Sequence, residues 1–139
     1  MHDELIQLLG TATRIACTGI NSRRLAALRA SLDQACAVPV AFGWERKAAA
    51  HAEFLNALAD AADDPNLARV LGHGTGYAYD LMVAAGRSAD GIVINSRRRM
   101  LAHLHTGDAE EAAYEMEKHL STLHFVGRLA APGVQCVPA

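Results

Sequence analysis

Gly107-Asp108-Ala109-Glu110-Glu111-Ala112-Ala113-Tyr114-Glu115-Met116-Glu117-Lys118-His119-Leu120 decides how this chain reads. Gly107 interrupts whatever precedes it. Asp108 can cap a helix by accepting a backbone N–H, and Glu110 and Glu111 complement the positive end of that helix. Apolar positions then recur at spacings of three and four: Ala109, Ala112, Ala113, Met116, Leu120, Leu123, and Val126 or Gly127. His119 falls inside this stripe, which places an imidazole in the interior.

Upstream the same period returns five times. From Asp3 to about Cys17 the stripe is Leu5, Leu8, Leu9, Ala12, Ile15 and Ala16. A second helix, capped by Asn21 or Ser22, turns Leu25, Leu28 and Leu32 inward as far as about Cys36, and the two are expected to form an antiparallel hairpin. Pro39 forces a turn before a third helix, Trp44 to about Ala62, whose inward set is Trp44, Ala48, His51, Phe54, Leu55, Leu58 and Ala61 or Ala62. Asp64-Pro65 opens a fourth, running to about Ala85. Its Gly72, Gly74 and Gly76 each cost on the order of 1 kcal/mol relative to Ala, so a kink, a partial break or a close backbone contact is expected there. The fifth, from Ala89 or Asp90 to Thr106, carries Val93, Arg97, Met100, Leu101 and Leu104 on one side. No segment alternates with period two. The fold class is therefore all-α, a bundle of about six to seven antiparallel helices with no sheet, over residues 1–131. The tail 132–139, with Pro132 and Pro138, is expected to be flexible.

The totals agree with one domain. A chain of 139 residues that is 51% hydrophobic can bury a core without staples. With 13 Lys+Arg against 15 Asp+Glu the net charge is −2, and no basic run exceeds Arg97-Arg98-Arg99, which disfavours nucleic-acid binding by this chain alone. Cys17, Cys36 and Cys136 form no CxxC pair, so a reducing cytoplasm is the expected compartment. No stretch approaches the roughly 20 apolar residues that a membrane span needs, and the chain reads as soluble.

Three helices each turn one polar residue toward the core: His51, Arg97 and His119. A buried charge without a partner costs several kcal/mol, so these groups should pair with each other, with water or with a ligand. Two histidines and a guanidinium are a poor metal set, because a guanidinium cannot ligate and its charge repels a cation. His103 and His105 lie off the stripe. Tyr77 and Asp80 on the fourth helix are secondary candidates for a pocket. Gly72-His73-Gly74-Thr75-Gly76 lacks both the preceding strand and the Gly-Lys-Ser/Thr ending of a phosphate-cradling loop. No Ser-His-Asp or Cys-His arrangement stands out.

In order and spacing the segments resemble the C-terminal effector-binding (FCD) domain of FadR-type GntR transcription regulators, from about Leu5 to Leu129. The carrying motifs are His51-Ala52-Glu53-Phe54-Leu55-Asn56-Ala57-Leu58, Asp64-Pro65-Asn66-Leu67-Ala68-Arg69-Val70-Leu71, and Gly107-Asp108 through Met116 to His119-Leu120. They are similar to the family's Asp-x-x-Phe-His-x-x-Leu, Asn-Pro-x-Leu-x-x-Leu and Gly-Asp-x-x-x-Ala-x-x-x-Met-x-x-His-Leu. Many members bind a divalent metal through an Asp, a His four residues on, and two later His. Those positions fall here on His51, Leu55, Arg97 and His119, of which only His119 keeps the family's ligand.

The resemblance thus implies the pocket, with Arg97 supplying the positive charge in place of a metal. The expectation is a ligand-sensing, dimerising domain, not an enzyme, that takes a small anionic effector such as an organic or sugar acid. Its site would be built from His51, Arg97, His119 and Leu55, with Tyr77 and Asp80, and no cofactor; if a metal were held, His51 and His119 would hold it. Homodimerisation through the first and fourth helices, and contact with DNA only through an N-terminal winged helix-turn-helix that has no counterpart in these residues, are implied by the family. The rival expectations are a small metal-dependent enzyme using His51 and His119, disfavoured by the lack of an inward carboxylate, and a helical interaction module without a ligand.

Overall fold

A computed structural model describes residues 2–130 of the chain. Six helices follow one another: α1 (His2–Cys17), α2 (Ser22–Ala37), α3 (Trp44–Ala62), α4 (Pro65–Ala85), α5 (Ala89–His105) and α6 (Ala109–Ala130), with a single 3-10 turn at Val40–Phe42. Among the described residues there is no strand. The expected flexible tail lies outside the described residues.

The helix starts follow from short polar side chains. Asn21 Oδ1 accepts from the Arg24 N–H at 2.8 Å, Asp64 Oδ1 from Asn66 and Leu67 at 2.8 and 3.3 Å, and Asp108 Oδ1 from Glu111 at 3.1 Å. Each satisfies donors that a helix N-terminus leaves open. Gly86, just past α4, and Gly107, between α5 and α6, both take positive φ, +83° and +78°, which an L side chain adopts only with strain.

Packing departs from sequence order at the first step. α1 and α2 form no hairpin: α1 packs on α6, α3 and α4, and α2 packs on α3 and α5. Each apolar stripe goes to its best complementary surface, and chain adjacency does not choose that surface. The inward face of α1 is also rotated from the expected one. Ile6, Leu9, Ala12, Thr13, Ala16 and Cys17 are buried, whereas Leu8 and Ile15 are half exposed. Apolar residues are spread widely around α1, and contact with three helices selected among them.

α4 stays a continuous helix through its glycines. Gly74 is the close contact: a Cβ there would run into the buried Leu9 side chain of α1, while Gly72 and Gly76 face open space. Gly72→Ala should therefore raise stability by about 0.5–1 kcal/mol through helix propensity. Gly74→Ala should lower it by about 1–2 kcal/mol, because Leu9 must repack. Chemical denaturation of the two variants checks the opposite signs.

Helices α3, α2, α5, α6 and α4 pack in that order into a closed ring, and α1 packs against α6, α3 and α4. Across the ring, α3 barely touches α5 or α6 through its backbone. What fills that gap determines the chemistry of the interior.

Candidate functional site

The side chains of His51 on α3, Arg97 on α5 and His119 on α6 are all buried, exposed by 1%, 0% and 2% respectively, and the Arg97 charge acts on both imidazoles. Leu55, one turn after His51, is fully buried as well. Arg97 is the largest fully buried side chain of the described residues. Its Nη1 donates to the His51 backbone carbonyl at 2.9 Å, and its Cζ lies 4.3 Å from the centroid of the Phe54 ring. The periodicity marked Phe54 as core; its second task, as a π-face for the guanidinium, follows from the tertiary position of Arg97.

Arg97 has no ion-pair partner among the described residues, and its Nε and Nη2 make no hydrogen bond to the protein. Burial pushes its pKa down to about 9, which still leaves it protonated at neutral pH. The same burial, with the Arg97 charge second, pushes His119 down to about 3, so His119 is neutral. The carbonyls of Glu115 and Met116 face the His119 ring, but neither ring nitrogen makes a hydrogen bond of acceptable geometry.

His51 has one committed nitrogen. Its Nε2 is 2.8 Å from Asp90 Oδ1, and its Nδ1 is buried without a partner. Burial holds its pKa below the usual imidazole value, against the opposing pull of Asp90. Five nitrogens on three side chains, the Nε and Nη2 of Arg97, the Nδ1 of His51 and both of His119, thus have no protein partner. Buried polar atoms are nearly always satisfied, which makes this concentration the chemical signature of the site.

Two carboxylates correct the expectation that no acid turns inward. Asp90, which the sequence marks only as a possible start of the fifth helix, lies in the first turn of α5 and reaches His51 on α3. Glu115 is buried on α6 one turn before His119, and is paired with Arg99 at 2.9 Å and Lys118 at 3.0 Å. Those two cations, led by the hydrogen bond from Arg99, hold its carboxyl below the usual range despite burial. A four-residue step back from His119 was the available signal for Glu115. Nothing in the sequence signals the reach of Asp90 across to α3.

The other candidates stand elsewhere. The Tyr77 hydroxyl is 3.1 Å from Nδ1 of His2, and the His2 ring packs against His124. Asp80 is exposed on α4. Neither is hydrogen-bonded to the Arg97 cluster. A cavity of about 360 Å³ lies between the start of α3 and the α4–α5 connection, lined by Trp44, Lys47, Arg87, Ser88 and Asp90 among others. It touches the cluster through Asp90; none of the four principal cavities is lined by Arg97, His51 or His119.

The fit to a divalent metal is poor. Of the four positions at which the resembling family ligates one, Leu55 and Arg97 offer no ligand. The described residues nowhere assemble three His, Cys, Asp or Glu side chains suited to an ion. Burial also pushes the Cys17 thiol up to about 12, which removes it as a nucleophile at neutral pH. A partly unpaired guanidinium, charged at neutral pH and with two buried imidazoles near it, favours an anion.

Comparison with known proteins agrees with this geometry at the level of family. A family model described as the FCD domain matches residues 5–122. No curated protein and no solved structure gives a match.

Proposed function

The chain belongs to the FCD domain family, the C-terminal effector-binding domain of GntR-type regulators, and from that premise we propose that it senses a small carboxylate bound at Arg97 without a metal. The observation that carries this reading is the fully buried guanidinium with two unpartnered nitrogens and no counter-ion. A guanidinium offers a planar fork that matches a carboxylate, and a buried cation gains most from a charge-assisted pair. His51 and His119 complete the polar lining, and Leu55 supplies an apolar wall.

The family assignment supports a role in binding with no bond made or broken. Regulation then requires that the ligand prefer one helix arrangement over another. Arg97 and the His51–Asp90 contact are the side-chain links between α3 and α5, so an anion that competes for Arg97 alters how these helices are tied. In our reading the domain works as a cytoplasmic homodimer and reaches DNA through a separate winged helix-turn-helix domain. The family supports that assembly, and the half-exposed Leu8 and Ile15 on α1 agree with a covered face. Two cysteines, Cys17 and Cys36, are free, and no helix among the described residues is long and apolar enough to cross a membrane.

A second reading is favoured by one observation: none of the principal cavities is lined by Arg97 or His119. On that reading the cluster ties the ring together and the domain is a helical interaction module. Melting curves separate the two. Organic acids, sugar acids and acyl-CoA esters are added singly to the purified chain. A ligand present at 100 times its Kd should stabilise the fold by about 2.7 kcal/mol. A flat response across all three classes favours the interaction module, and stoichiometric zinc, nickel or manganese in the purified protein would contradict a metal-independent site.

A further inference from the structure

We propose that the cavity between the start of α3 and the α4–α5 connection is a second binding site, separate from Arg97, for a zwitterionic amino acid with a large apolar side chain.

The cavity holds about 360 Å³, within the range of small-molecule pockets, and its wall is mainly apolar with a few charged groups. Val40 and Trp44 supply apolar surface. The Trp44 Nε1–H is committed to the Met82 carbonyl on α4 at 2.8 Å, which fixes the indole and leaves it no polar group to offer a ligand.

Three charged side chains line the same space: Lys47, Arg87 and Asp90. Lys47 Nζ donates to the Cys36 and Val38 carbonyls at 3.3 and 3.2 Å, which holds the ammonium against the end of α2 without neutralising it. An ammonium has three protons, so one remains to give. Neither Lys47 nor Arg87 has an ion-pair partner among the described residues. Asp90 gives Oδ1 to His51, and its Oδ2 has no protein partner among the described residues.

These charges select by sign. A simple anion satisfies Arg87 and Lys47 but sets its charge against Asp90. A simple cation satisfies Asp90 and is repelled by the other two. A neutral apolar molecule strips water from all three and returns nothing. An amino acid carries a carboxylate and an ammonium on one carbon, so it meets both demands with charge-assisted hydrogen bonds, and its side chain lies on Trp44 and Val40.

Occupancy would be felt in the bundle. Trp44 and Lys47 belong to α3, Asp90 to α5 and Arg87 to the α4–α5 connection, so the ligand ties α3 to α5. Because the two oxygens of Asp90 are distinct acceptors, the ammonium can take Oδ2 while Oδ1 keeps His51. The amino acid therefore reinforces the contact between α3 and α5 that Asp90 already makes.

Calorimetry on the whole chain tests the proposal with phenylalanine, 3-phenylpropionate, which lacks the ammonium, and phenethylamine, which lacks the carboxylate. Phenylalanine should bind about tenfold tighter than either analogue. Arg87→Gln, at an exposed position, should weaken phenylalanine by about tenfold and leave phenethylamine within about twofold. Asp90→Asn should weaken phenylalanine by a similar factor. In Arg97→Met, phenylalanine affinity and the ranking of the three compounds should persist, because the cavity does not include Arg97. Equal binding of phenylalanine and 3-phenylpropionate overturns Asp90 as the ammonium partner, and unchanged affinity in Arg87→Gln overturns the cationic anchor. Loss of phenylalanine binding in Arg97→Met places the ligand at Arg97 and overturns the second site. No binding of any of the three to the wild-type chain overturns the proposal and leaves the Arg97 reading standing, since that reading is tested by the response to organic and sugar acids.

Discussion

Arg97→Met should melt at a higher temperature than the wild-type chain and lose every response to carboxylates. Arg97 is held charged in the core with one hydrogen bond, one aromatic face and no counter-ion. Lowering its pKa from 12.5 to about 9 corresponds to a penalty on the order of 4–5 kcal/mol against the charged form. Methionine fills a similar volume without that penalty, and replacing buried ionic groups with apolar ones of like shape is often neutral or stabilising. Against the gain stand the lost bond to the His51 carbonyl and the lost contact with Phe54, so we expect a net rise of about 1–3 kcal/mol. The pH dependence has a definite sign. The penalty is fully present below about pH 9, where both folded and unfolded chains carry the proton. It is relieved as pH rises from there toward 12.5, so the advantage of the variant should shrink in alkali. A variant that melts lower and still answers to carboxylates would make Arg97 a structural tie and return the domain to the interaction-module reading.

Acid should undo the fold largely through His119. Its folded-state pKa is depressed to about 3 from the ordinary 6.5, so the neutral ring contributes stability above pH 6.5 that is lost as pH falls toward 3. Below pH 6.5 the unfolded chain takes up a proton that the folded chain refuses. Between pH 7 and pH 5 the loss from this one group is about 2 kcal/mol. His51 shifts in the same direction and adds to it. Urea unfolding of His119→Leu should therefore show a shallower fall between pH 7 and pH 5 than the wild type. Parallel curves for the two proteins would show that His119 is not the group that titrates.

The helices were legible because each signal that defines them is local. Asn21, Asp64 and Asp108 cap as their positions imply, Pro39 forces the turn, and Gly107 ends what precedes it. The apolar stripes of α3, α5 and α6, with His51, Arg97 and His119 inside them, were legible, whereas the buried Ser96 on α5 and Glu115 on α6 were missed. The stripe of α1 was not, because Leu8 and Ile15 have the right chemistry for a core and only contact with α6, α3 and α4 chooses among the apolar positions on that helix.

Asp90 marks the boundary between what sequence and tertiary structure decide. In the chain it is one acidic residue in the first turn of a helix, where an acid favours the dipole anywhere in solvent. Its contact with His51 spans 39 positions and depends on how α3 and α5 lie across the ring. Periodicity, a property of residues three and four apart, determined that His51, Arg97 and His119 turn inward. The ring of helices decided that Arg97 would have Phe54 and the His51 carbonyl but no counter-ion, because pairing between buried groups depends on distances that local sequence does not specify.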